Sequence, residues 1–312
     1  MYAVMSDTHY YAPELGTAGS AYAQRSGSDQ KCLAESREII RAAFADVRTT
    51  GASAVLIAGD LTNNGERISH EEFRELLYGL QTYLPVYVIT STHDWGCDGL
   101  HRRYVGEDTV YGEPTLTAGE LSAFYTDFGL NKAHSRHLTA HGVSSYAAVL
   151  PDGTHLIALN DDKNGKGRAG YDAPHMAYIE AELAAAAANE RPCVLMTHHP
   201  LYPNRPLMRK ATIGDSKPTV ARLYKAGLRT AFVGHTHVLD DRVHRGVRQV
   251  NVPALCGYPG GYMLADGGTI TYRAMPEYTP LLTDHVMQLV PAPLRNRISA
   301  YGVKRYLAGR MV

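Results

Sequence analysis

The residues best suited to chemistry are histidines and aspartates that stand one or two positions apart. Gly234-His235-Thr236-His237 carries two imidazoles at i and i+2, which point the same way on an extended segment. Asp7-Thr8-His9, Gly59-Asp60, His93-Asp94 and His198-His199-Pro200 add carboxylates and further imidazoles. Neutral imidazole is the commonest protein metal ligand. A mixed imidazole and carboxylate set suits Zn, Mn or Fe, and no thiolate joins it to favour a softer metal. Asp7, His9, Asp60, His93, His198, His235 and His237 supply two carboxylates and five imidazoles, more than one ion needs. Two ions about 3.5–4 Å apart can share an activated water and clamp a tetrahedral phosphoryl group. Each fragment alone is common, since Gly-Asp is often a turn and Asp-x-His a loop. Of the 15 histidines, His70, His101, His134, His137, His141, His155, His175, His244 and His285 are read as background.

The elements that must position these groups repeat one pattern, a short apolar run ending abruptly in polar residues. Ala3-Val4-Met5 leads to Ser6-Asp7-Thr8-His9, Ala54 to Ala58 leads to Gly59-Asp60, and Val86 to Ile89 leads to Thr90-Ser91-Thr92-His93-Asp94. His155 to Leu159 leads to Asn160-Asp161-Asp162, Cys193 to Met196 leads to Thr197-His198-His199, and Ala231-Phe232-Val233 leads to Gly234. Such runs read as strands buried on both faces. Helical stripes alternate with them over Ala34–Thr49, Ser69–Tyr83, His175–Asn189 and Thr219–Ala226. Ser69-His70-Glu71-Glu72 has the spacing of a capping box. Alternation of this kind implies an α/β layered fold, in which ligands bind beyond the carboxyl ends of the strands. All six polar tips fall there and are expected to converge. Val247–Pro253 and Thr269–Arg273 read as late strands, and the stretches 10–30, 95–119, 161–171 and 200–217 as long loops.

Composition excludes several classes. Lys+Arg and Asp+Glu are both 31 in 312 residues, so the electrostatic footprint of a nucleic-acid binder is missing. Apolar runs fall short of the roughly 20 residues that span a bilayer. Met1–Met5 runs into polar residues without a basic start or cleavage site, so no secretory signal is expected. Cys32, Cys97, Cys193 and Cys256 lie far apart without a Cys-x-x-Cys, which fits reduced thiols in a cytoplasm. No Gly-x-Ser-x-Gly elbow supports a serine hydrolase. One domain over 1–275 is expected, followed by a basic extension over 276–312 that packs on or flanks it.

The ordered series Asp7-x-His9, Gly59-Asp60, His93-Asp94, His198-x-Pro200 and Gly234-His235-x-His237 resembles the calcineurin-like metallophosphoesterase superfamily over residues 1 to about 260. Gly59-Asp60-Leu61-Thr62-Asn63-Asn64-Gly65-Glu66 is similar to bacterial members. The resemblance implies an αββα sandwich, two packed mixed β-sheets flanked by helices. It implies two divalent or trivalent ions (Mn, Fe or Zn), one held by Asp7, His9 and His237, the other by His198 and His235, with Asp60 bridging. His93 would contact the phosphoryl group or protonate the leaving alkoxide, and a metal-activated hydroxide would attack a small-molecule phosphate mono- or diester. The family usually carries Asn as a second-ion ligand where this chain has Thr92. That departure keeps open a catalytically weakened metal- or phosphate-binding protein, and a dinuclear hydrolase of another ester or amide stands beside it. Arg205, Arg209, Tyr202 and Tyr258 are candidate substrate contacts, with Arg25 and Lys31 as further cations.

Overall fold

The computed structural model describes residues 1–96, 99–161, 169–204, 206–297 and 299. In chain order its strands are β1 (Tyr2–Met5), β2 (Val55–Ala58), β3 (Val86–Ile89), β4 (Arg102–Val105), β5 (Asp108–Tyr111), β6 (Ser135–Leu138), β7 (Ser144–Val149), β8 (His155–Ala158), β9 (Cys193–Met196), β10 (Thr230–Val233), β11 (Asp240–His244), β12 (Val247–Asn251), β13 (Tyr262–Asp266) and β14 (Thr269–Arg273). The α-helices are α1 (Gly19–Ser26), α2 (Ser36–Val47), α3 (Arg67–Gln81), α4 (Ala118–Phe124), α5 (Ala173–Ala188), α6 (Ser216–Lys225) and α7 (Thr279–Gln288).

Two mixed sheets form, in the orders β14-β13-β1-β2-β3 and β11-β12-β10-β9-β8-β7-β6. β1, β2 and β3 run parallel, as do β12, β10, β9 and β8. Antiparallel neighbours, β13 and β14 on one sheet and β11, β7 and β6 on the other, complete the edges. The two-residue side-chain period explains why the central runs are apolar throughout. Ala3 and Met5 of β1, Val55 and Ile57 of β2, and Val86 and Val88 of β3 pack with Ile39, Ile40, Phe73 and Leu77 of α2 and α3. The intervening Tyr2, Val4, Leu56 and Tyr87 pack instead against Leu156, Met196, Phe232 and Val250 of the other sheet. Ile157, Leu195 and Ala231 face outward to Ile179, Leu183, Val220 and Leu223 of α5 and α6. Three apolar layers between helix, sheet, sheet and helix are the expected αββα arrangement.

The helix starts differ from the sequence expectation. α3 begins at Arg67, so Ser69 and Glu72 do not cap it. Ser69 Oγ instead accepts from Ala12 N–H, and Glu72 accepts from the Tyr10 hydroxyl, tying the loop after β1 to the helix. Three stretches read as loops hold structure: 10–30 contains α1, 95–119 contains the β4–β5 hairpin, and 200–217 contains a 3₁₀ segment, Pro206–Ala211, and the start of α6. Leu282 of α7 joins the first core layer, and His285 Nε2 donates to Asp29 O at 2.8 Å. Asp162, Lys304, Arg305 and Arg310 lie outside the described residues. Among the described residues, no helix is long and apolar enough to cross a membrane.

Candidate metal centre

The strand ends continue as hydrogen-bonded ladders, which is how short strands hold their tips together. Asp7 N–H donates to Gly59 O and His9 N–H to Asp60 O, both at 3.0 Å. On the second sheet, Thr197 N–H donates to Phe232 O at 3.1 Å and Gly234 N–H to His198 O at 2.9 Å. Contacts across the sheets lock the two sets face to face. His235 N–H lies 3.1 Å from both Asp7 oxygens and His198 Nδ1 donates to Ala58 O at 2.8 Å, while Ser6 Oγ, next to Asp7 in the chain, steadies that carboxylate by donating to its Oδ2 at 2.6 Å.

The backbone at these tips is unusual. Eight non-glycine residues among those described have positive φ, and Asp7 (50°), His9 (41°), Asp60 (51°), His235 (66°) and His237 (57°) are five of them. Such conformations cost about 1–3 kcal/mol each and persist where the surroundings over-determine them. All five stand two or four residues beyond the end of β1, β2 or β10.

The result is two clusters that share one carboxylate. Ligand atoms of Asp7, His9, Asp60 and His237 lie within 4.8 Å of one another, and so do those of Asp60, His198 and His235. In the first, His9 Nε2 is 3.0 Å from His237 Nε2, and Asp7 Oδ1 is 3.2 Å from His237 Nε2. Asp60 Oδ2 lies 3.8 Å from His9 Nε2 and 3.2 Å from His198 Nε2, so one oxygen faces both clusters. Two imidazole nitrogens aimed at one another need a proton or a cation between them. Asp60 Oδ1 and His9 Nδ1 are buried with no hydrogen-bond partner among the described residues.

Protonation fits the same reading. Burial, then the charge of Lys31, holds the His9 imidazole well below its usual range. Burial and the neighbouring His199 and His198 do the same to His235. Burial pushes the Asp60 carboxyl up, but His198, His93 and His9 outweigh it and hold the group well below the usual carboxylate range. Neutral imidazoles beside an ionised carboxylate are the forms a cation requires. The donor set is nitrogen and oxygen, which suits Zn, Mn or Fe.

His93 stands at the rim with its ring centroid 5.6 Å from that of His9. Thr92 and His93 begin a short 3₁₀ turn, Thr92–Asp94. Asp94 braces that turn, accepting from Ser91 N–H at 2.8 Å and Thr62 N–H at 2.9 Å, and burial with the Asp60 charge pushes its carboxyl up to about 8. Asn63, three residues after Asp60, is fully buried, and neither amide atom finds a hydrogen-bond partner among the described residues.

Asp161 was not singled out from sequence, because Asn160-Asp161-Asp162 carries no ligand spacing. In the fold it accepts from Thr197 Oγ1 at 2.6 Å and His199 N–H at 2.8 Å, and meets His199 Nδ1 at 2.9 Å. The His199 ring so held lies 4.3 Å from that of His235. Its only sequence signal was its place at a strand tip.

The candidate substrate residues are spread over several elements. Tyr202 is buried, and its hydroxyl donates to Arg242 O at 2.7 Å. With Arg209, Ile213, Lys217 and His244 it lines a cavity of about 450 Å³ that includes no residue of the two clusters. Tyr258 is half-buried and packs against Val286 and Val290 near α7. Arg205 lies outside the described residues. Lys31 is buried with its Nζ 3.7 Å from Asp29 Oδ2, near enough to the first cluster for its charge to act on His9.

A sequence profile of calcineurin-like phosphoesterases matches residues 2–239. Among solved structures, a dimetal phosphatase from Danio rerio is similar over 88% of this chain and 95% of its own, with TM-score 0.62 and 11% identity. Purple acid phosphatase PPD1 from yellow lupin (Lupinus luteus) seeds is similar over 88% of this chain and 51% of its own, with TM-score 0.56 and 13% identity. No curated protein matches the chain.

Proposed function

The chain belongs to the calcineurin-like phosphoesterase family, and on that premise we propose that it is a metal-dependent hydrolase of a small-molecule phosphate mono- or diester. The observation that carries this reading is the Asp60 carboxylate, whose Oδ2 faces His9 on one side and His198 on the other. Two cations (Mn, Fe or Zn), when bound, supply Lewis acidity toward a phosphoryl oxygen and lower the pKa of a bound water. Asp7, His9 and His237 hold the first position, His198 and His235 the second, and Asp60 serves both. His93 presents its imidazole beside the first position, placed to hold a proton for the leaving alkoxide. Asp161 fixes the orientation of His199 behind the second position, as outer carboxylates do around ligating histidines. We place the protein in the cytoplasm, on its scattered cysteines.

A second reading has its own support. The first cluster has four donors and the second three, and Thr92 stands where the family usually has an amide. The second ion is then the weaker one, and Asn63, with its unsatisfied buried amide, is the candidate replacement donor. Asp60→Asn tests both readings together. Hydrolysis of p-nitrophenyl phosphate and its bis ester should disappear and the bound metal should fall. Unchanged turnover would refute the mechanism, whereas metal loss without any wild-type turnover would favour the weakened binder. Activity on acyl esters alone would instead favour a carbonyl substrate.

A further inference from the structure

Three groups outside the strand-tip centre also converge. His155 opens β8, at the opposite end of that strand from Asn160 and Asp161. Glu182 projects from α5, and His134 precedes β6. Their ligand atoms lie within 4.8 Å of one another. Glu182 Oε2 is the shared focus, 2.9 Å from His155 Nε2 and 3.0 Å from His134 Nε2. The two rings meet edge to face with centroids 5.0 Å apart.

The surroundings prepare the carboxylate. Ser135 Oγ donates to Glu182 Oε1 at 2.5 Å, and the Tyr178 hydroxyl meets Ser135 Oγ at 3.0 Å. That leaves Oε2 turned to the imidazoles, the arrangement by which outer hydrogen bonds orient a metal-ligating carboxylate. Burial holds the His155 imidazole below its usual range despite Glu182. Burial pushes the Glu182 carboxyl up, but Ser135, His134 and His155 outweigh it and leave it lowered. Both Nε2 atoms share Oε2 as hydrogen-bond partner, so a cation at this point would replace the protons between them, each ring keeping its proton on Nδ1. His155 and Glu182 side chains are only 3% and 10% exposed, while that of His134 is 42% exposed and leaves a way in from solvent. Cys193 is the register partner of His155 across β8 and β9, on the same face of the sheet. Burial and the Glu182 charge push its thiol up to about 12.

We propose that His134, His155 and Glu182 form a third cation site, for a single Zn²⁺ or a similar borderline transition ion, which clips the edge strand β6 and β8 to α5. Two imidazoles and a carboxylate match zinc, whereas Mg²⁺ and Ca²⁺ prefer all-oxygen shells. Tetrahedral ligands at zinc distances stand about 3.3 Å apart, so the observed contacts need to open by a few tenths of an ångström. The half-exposed His134 can rotate to supply this. Water or the Cys193 sulfur completes the coordination.

The experiment compares the full chain with His134→Ala and Glu182→Gln after dialysis against buffered Zn²⁺, reading zinc per protein by mass spectrometry and the melting midpoint with and without zinc. Wild type should hold one more equivalent than either variant and gain more thermal stability from zinc, while hydrolysis of bis-p-nitrophenyl phosphate is the same in all three. Glu182→Gln could loosen α5, so the solvent-facing His134→Ala is decisive. Equal zinc in wild type and His134→Ala would overturn the proposal, as would loss of the strand-tip zinc in that variant. The comparison holds even if the strand-tip centre is inactive, because the site is read as a difference between chains that share that centre.

Discussion

Gly234, at the tip of β10, packs directly on Ser6 and Asp7 at the tip of β1, and adding one methyl group there is a sharp perturbation. A Cβ at this position would press into Ser6 Oγ and Asp7 Oδ2, well inside van der Waals contact, and would lie 3.1 Å from Ser6 Cβ. Ser6 cannot swing away freely, because its hydroxyl also lies 3.2 Å from Ala58 O. The Asp7 carboxylate, held by His235 N–H and Ser6 Oγ, would have to retreat by roughly 1 Å to reach ordinary separation. Metal sites tolerate about 0.2 Å in ligand position. Misplacement by about 1 Å typically costs about 10²-fold in rate. Gly234→Ala should therefore lower turnover of bis-p-nitrophenyl phosphate by about two orders of magnitude. It should reduce bound metal and cost about 1–3 kcal/mol of stability as overpacking. Gly79 is the control, since a Cβ there meets nothing within 4 Å. Replacing this interior α3 glycine with alanine should add up to about 1 kcal/mol in a urea melt. A Gly234→Ala protein with wild-type metal content and turnover would refute the claim that Asp7 is held in place by this close approach.

Three further outcomes follow from the same geometry. His93→Ala should lower turnover far more than metal content, and equal losses by kinetics and elemental analysis would make it a ligand. His70 donates from Nε2 to Asp94 O and accepts from the Tyr125 hydroxyl, and burial lowers its pKa to about 4. A histidine that binds its proton more readily when unfolded contributes stability above about pH 6.5 that is lost as pH falls toward about 4, here on the order of 3 kcal/mol. Asp94, with its carboxyl raised by burial, has the opposite dependence over the same window, so the loss is read as the difference between urea melts of wild type and His70→Gln, which should shrink as pH falls from about 6.5 toward about 4. Phe232 is fully buried between the sheets against Tyr2, so Phe232→Ala should cost about 3–5 kcal/mol, read from the denaturation midpoint.

What the sequence disclosed depended on burial. β1, β2, β3, β8, β9 and β10 are buried almost throughout, so their apolar runs announce them. β6 and β11 are half-exposed edge strands with sequences Ser-Arg-His-Leu and Asp-Asp-Arg-Val-His, which carry no such signal. The β4–β5 hairpin lies in a glycine-rich stretch whose alternation is weak. Ser69 and Glu72 had the right spacing for a cap, yet tertiary partners Ala12 and Tyr10 claim them. The candidate ligands were readable because each follows a buried strand at a fixed offset. Asp161 was not, because its meaning comes from the neighbouring strand that delivers His199. His134 and His155 were set aside as background, since nothing in their spacing announces Glu182, which stands on α5.

The five left-handed corners carry one more implication. Local preference works against every one of them, so their shape is imposed from outside by the paired sheets and not chosen by the residues themselves. Glycine or asparagine would sit there more comfortably than histidine or aspartate. A chain freed from any need to grip ions could swap them and gain in durability, ending as a tougher but idle protein. What holds imidazole and carboxylate at these corners is therefore the packing of one sheet on the other, and loosening that packing would release all five together.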